Sequence, residues 1–263
     1  MKRAKKNMDE LRRHLEAMRS HGHGPARVFE DWVALCFYAL QRDDESYLEI
    51  MGRYDNTVRI DGMRPADRFA AAFACLVQAM EASNRELLGD LFMEYASDKY
   101  TGQFFTPWSV SSMMAELVTP AEGERCLDCA CGAGGQLVAA GLAMRHAGHD
   151  VRKSLFMGVD ISFTCCAMTA INLTLRDLPG VVVHGDSLRL LTWAGWKIVR
   201  TPLMPPRLVR MTTEEATEWM EGPVRMGLEQ ERAKEEERGS DEPERAMPPK
   251  PAYADMPMFR GMT

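Results

Sequence analysis

The chain has 263 residues, 46% of them hydrophobic and 27% charged, with a formal net charge of −6. That is enough apolar material for one sizeable core with helical additions rather than two large domains. No run of about 18 apolar residues occurs and the start lacks a signal-peptide core, so a cytoplasmic protein is expected.

From Thr213 onward 13 acidic residues face 7 basic ones, which accounts for the whole net charge and leaves residues 1 to 212 balanced at 25 of each. A neutral body is not a broad phosphate-binding surface. The basic start (Lys2, Arg3, Lys5, Lys6, Arg12, Arg13) reads as a mobile solubilising terminus, with phosphate contact as the alternative. Seven cysteines, an odd number, fit free thiols in a reducing compartment. Cys126, Cys129 and Cys131 with the Cys165-Cys166 pair lack the spacing of a zinc site, so no metal is expected.

In chain order, residues 1–98 read as helical. Val28 to Leu40 carries Trp32, Val33, Leu35, Cys36, Phe37 and Leu40, the mark of a largely buried helix, and Pro65 to Met80 reads as another. Ser83-Asn84-Arg85-Glu86 reads as a capping box opening a third. Thr106-Pro107 is a helix start, with threonine as the cap and proline at the first helical position.

Arg125 to Asp128 is a short apolar run that reads as a buried strand, and Gly132, Gly134 and Gly135 then permit a tight turn and close backbone approach by a ligand. A helix follows over Gln136 to Ala147, stopped at Gly148. Ser154 to Asp160 is a second strand ending in an acid, Phe163 to Leu175 a crossover helix, and Val181 to Leu188 a third strand ending in Gly185-Asp186-Ser187-Leu188. Acids at successive strand ends are placed where a doubly wound sheet binds its ligands. A fourth strand is expected at Lys197 to Arg200. Beyond it the acidic, proline-bearing stretch 213–263 reads as a disordered tail, so a stable fragment ending near Thr212 is expected.

The order Gly-Gln-Phe-Phe-Thr-Pro (102 to 107), about twenty residues, then Asp-x-Ala-Cys-Gly-x-Gly-Gly (128 to 135) resembles the adenine-N6 DNA methyltransferases, most closely the modification subunits of type I restriction systems. The resemblance implies an α/β fold: a partial Rossmann-like S-adenosylmethionine-dependent methyltransferase domain over 99–212, preceded by the helical region. It implies that Gln103, Phe104, Thr106 and Pro107 cover the methionine moiety of the cofactor, with a helix amino end suited to its carboxylate. Asp128, Ala130, Gly132 and Gly134 would form the glycine turn beneath it, Asp160 and Ile161 would meet the ribose, and Asp186, Ser187 and Leu188 the adenine.

The same resemblance shows a gap. Family enzymes carry Asn-Pro-Pro-Phe or Asp-Pro-Pro-Tyr after the fourth strand, where an acceptor aligns the adenine amine and an aromatic ring stacks on the flipped base. Here the chain reads Thr201-Pro202-Leu203-Met204-Pro205-Pro206-Arg207, and no catalytic residue is assigned. Three readings stay open: methyl transfer to adenine in DNA, with a noncanonical acceptor group or a partner chain supplying the missing motif; an inactive cofactor-binding or regulatory module paired with a methyltransferase or restriction subunit; and a mobile-element remnant.

Overall fold

The computed structural model describes residues 2–18, 22–95, 104–201, 204–223 and 229. Five helices come first: α1 (Lys2–Ala17), α2 (Pro25–Gln41), α3 (Asp44–Met51), α4 (Pro65–Glu81) and α5 (Leu88–Tyr95). The basic start is not a loose terminus. Ala4, Met8, Leu11 and Leu15 recur at helical spacing, giving α1 an apolar stripe that packs on α4 while its lysines face solvent. Helix α2 is the central pillar, because Phe29, Trp32 and Phe37 are fully buried and it touches helices on one side and the sheet on the other. Its one buried acid, Asp31, is compensated by Arg53, Arg27 and Tyr54.

The α/β part runs α6 (Trp108–Val118), β1 (Arg125–Asp128), α7 (Gly135–His146), β2 (Leu155–Asp160), α8 (Phe163–Leu175), β3 (Gly180–Asp186), β4 (Leu191–Thr201) and β5 (Met204–Arg210), with α9 over 213–223. The strands lie in the order β1-β2-β3-β4-β5. The first three are parallel and joined by α7 and α8, a Rossmann-like β-α-β-α-β unit, whereas β4 and β5 are antiparallel additions to the β3 edge. Period-two alternation divides the sheet. Phe156, Val182, Trp196 and Ile198 join the main core with α2 and α8, and Met157, Val159, Val181 and Val183 face the other way onto Met211, Ala216 and Met220.

Three expectations change here. The fourth strand is 11 residues long, not four, and antiparallel to β3. Only four residues separate β3 from β4, too few for a parallel crossover. Strand β1 is an edge with half its side chains exposed, not a buried strand, because nothing among the described residues pairs with its outer side. Packing also continues past Thr212: residues 213–223 are helical, with Ala216 and Met220 buried against the sheet. Beyond 223 the expected tail lies outside the described residues except Glu229.

Candidate cofactor-binding site

The turn after β1 is built by positive-φ glycines and stitched down by its neighbours. Gly132 (φ 53) and Gly134 (φ 79) take left-handed conformations open to glycine at little cost. A Cβ on Gly134 would stand 3.0 Å from Thr169 Oγ1, and one on Gly132 3.0 Å from the Phe105 ring. Thr169 Oγ1 donates to Gly132 O at 2.9 Å and Asn172 Nδ2 to Ala133 O at 2.8 Å, so the inner face of α8 holds the turn's carbonyls. From β2, Asp160 Oδ2 accepts the Gly132 N–H at 2.9 Å and Oδ1 accepts the Ser162 N–H at 2.8 Å.

Two adjoining cavities open over this turn. One, of about 70 Å³, is lined by Glu86, Phe104, Thr106, Ser111, Asp128 and Gly132 among others. The second, of about 340 Å³, is lined by Phe104, Ala130, Gly132, Asp160, Ile161, Asp186, Ser187 and Leu188 among others. The three acids end three adjacent parallel strands, which brings them to one rim. Burial raises the Asp128 carboxyl above its usual range; the Ala130 N–H opposes that and the charge of Asp160 adds to it. Asp186 Oδ1 accepts from Leu188 and Arg189 N–H at 3.0 and 3.1 Å, folding the β3–β4 turn around its own carboxylate.

Of the residues singled out from sequence, Phe104, Thr106, Asp128, Ala130, Gly132, Asp160, Ile161, Asp186, Ser187 and Leu188 all line one cavity or the other. Gly134 lines neither and serves as the amino cap of α7. Thr106 is not a helix cap: Pro107 occupies that position in extended backbone, and its carbonyl accepts from Val110 and Ser111. Gln103 lies outside the described residues.

Sequence reading missed Glu86 and Ser111. The expected capping box is absent. Helix α5 begins at Leu88, and the buried Glu86 carboxylate accepts from the Leu88 and Gly89 amides and from Asn172 Nδ2. Burial raises its pKa above the ordinary value despite those donors. A glutamate three residues after a serine carries the signal of a cap, and only the position of α8 reveals its contact with Asn172. Ser111 Oγ is buried at the smaller cavity with no hydrogen-bond partner.

The stretch expected to hold the acceptor is elsewhere. Because β4 is antiparallel to β3, Leu191 lies beside Asp186 and the strand then runs away from the cavities for its 11 residues, roughly 30 Å, to end at Thr201. Thr201 and Met204 to Arg207 therefore cannot position a base at this rim. Among the described residues no cluster of three or more His, Cys, Asp or Glu side chains forms a metal site, and no helix is long and apolar enough to cross a membrane.

Residues 84–197 match the model of the family N-6 DNA Methylase. No curated protein matches the chain. Among solved structures, a modification subunit ascribed to a type I restriction enzyme of Vibrio vulnificus YJ016 is 18% identical, with a TM-score of 0.42 over 71% of this chain and 56% of that one. A protein ascribed to the class I S-adenosylmethionine-dependent methyltransferases, from Listeria monocytogenes, is 14% identical, with a TM-score of 0.42 over 70% and 54%. This chain thus spans little more than half the length of either. The family match covers the lead-in helix α5, the glycine turn and all three acid-bearing strands, and over those residues the chain is similar to the N-6 DNA methylases.

Proposed function

We propose that the two adjoining cavities bind S-adenosylmethionine, carried by one observation: Asp128, Asp160 and Asp186 end three adjacent parallel strands around a glycine turn that lines both cavities. The residues suit the group. Asp160 and Asp186 offer lone pairs to ribose hydroxyls and an adenine amine. Ser111, a buried hydroxyl without a partner, and the amino end of α6 offer donors to a carboxylate. When bound, S-adenosylmethionine supplies an electrophilic methyl group; this chain's residues bind and orient the molecule that carries it. Calorimetric titration is expected to show binding of S-adenosylmethionine or S-adenosylhomocysteine, weakened by about 1 to 3 kcal/mol in Asp160→Ala. No heat with either ligand at millimolar concentration would sink the proposal.

The reaction we assign to the bound cofactor is methyl transfer to adenine-N6 in DNA, completed by a partner subunit in the cytoplasm. No Asn-Pro-Pro-aromatic or Asp-Pro-Pro-aromatic motif occurs in the sequence, and Thr201 lies at the wrong end of the sheet. The lone chain is therefore expected to transfer tritiated methyl groups to unmethylated genomic DNA at background, for want of positioning and stacking. Robust methylation by the lone chain, lost in Asp128→Ala, would overturn the need for a partner. The same gap supports a second reading, a cofactor-binding module that regulates a methyltransferase or restriction subunit. Methylation that stays at background with every such subunit added would favour it.

A further inference from the structure

Phe104, Phe105, Ala130 and Gly132 line both cavities, so they mark the junction between the two. The two rings differ in what holds them. Phe105 is committed to the fold: its ring stacks on Phe92 with centroids 4.8 Å apart, and a Cβ on Gly132 would come within 3.0 Å of it. Phe104 is 83% exposed, and no ring among the described residues packs against it. A phenyl ring left in water forgoes the stabilisation of burying its apolar area. At the mouth of two cavities its face is free for a ligand.

The chemistry of S-adenosylmethionine brings one group to such a junction. With the amino-acid end in the smaller cavity, beside Ser111, and the adenosine in the larger, beside Asp160 and Asp186, the atom that joins the two portions is the sulfonium sulfur. That sulfur carries a positive charge. The face of a phenyl ring attracts a cation through its quadrupole, which an aliphatic side chain lacks.

We propose that Phe104 reads this charge: its ring covers the sulfonium at the junction and makes the site prefer S-adenosylmethionine to S-adenosylhomocysteine, whose sulfur is neutral. The inference rests on the proposed binding of S-adenosylmethionine in these cavities. Asp128 and Asp160 also attract positive charge, but their pull persists when the ring is replaced. The two ligands share their ammonium, carboxylate, ribose and adenine, so a comparison between them isolates the sulfur.

Calorimetric titration of the full chain with each ligand tests the proposal, in the wild type and in Phe104→Leu and Phe104→Tyr. Leucine keeps apolar cover without a ring, and tyrosine keeps the ring. In Phe104→Leu S-adenosylmethionine is expected to bind about three- to tenfold more weakly while S-adenosylhomocysteine changes by less than about twofold. Phe104→Tyr is expected to keep the wild-type preference. Equal weakening of both ligands in Phe104→Leu would overturn the proposal, because the ring would then be apolar cover only. An unchanged preference in Phe104→Leu would overturn it as well, as would a preference lost equally in Phe104→Tyr. In each of these results the wild type still binds, so the inference fails without the binding reading; a wild type that binds neither ligand defeats both.

Discussion

Glu86 holds its carboxylate between the first amides of α5 and the Asn172 amide, tying the lead-in helix to the same asparagine that fixes the glycine turn. Its pKa is raised by burial, which gives a definite pH signature. Well below the ordinary value of 4.5 the group is protonated in both states. As pH rises the unfolded chain ionises first, so stability is fully present at low pH and is lost as pH climbs through the folded value. Glu86→Gln keeps an acceptor for the helix amides and cannot ionise. Urea denaturation from pH 4 to 7 is expected to show a wild-type midpoint that falls relative to the variant. A constant difference between the two would mean that the carboxyl is not penalised.

At the level of elements, the α7 cap and the α9 contact carry separate predictions. Gly134→Ala puts a Cβ on left-handed backbone, about 1 to 2 kcal/mol, and into contact with Thr169. A loss of about 2 kcal/mol or more is expected by urea denaturation, and an unchanged midpoint would show that the turn relaxes freely. Helix α9 lies so close to β4 that a Cβ on Gly195 would stand 2.6 Å from Ala216 Cβ. Met220 is 4% exposed in that contact, so Met220→Ala is expected to cost about 2 to 4 kcal/mol. A loss below 0.5 kcal/mol would mean that α9 contributes little.

For the whole molecule, the sheet needs covering on both faces. Helices α2, α7 and α8 cover one, and Met211, Ala216 and Met220 cover Met157, Val159, Val181 and Val183 on the other. Composition alone leads to a chain that can be cut at Thr212, but the buried side chains lead to the opposite expectation. A chain ending at Thr212 is expected to bind a hydrophobic dye and to aggregate, and limited proteolysis of the full chain to leave a fragment extending past residue 221. A soluble, dye-negative fragment ending at Thr212 would show that the second face tolerates water.

The sequence by itself determined the β-α-β-α-β run and its ligand-facing ends. Arg125–Asp128, Leu155–Asp160 and Phe163–Leu175 stand within a residue of where the pattern places them. Apolar runs, glycine turns and strand-terminal acids act over a few residues, so their signal is local. Only the tertiary structure decided the direction of β4, the contact between Glu86 and α8, and the burial of α9. The four-residue link between β3 and β4 already demands an antiparallel pair, yet Trp193, Ala194 and Gly195 hid the strand's beginning. In α9, Ala216 and Met220 are diluted among acids, and their burial follows from the apolar sheet face across from them, which no local pattern encodes.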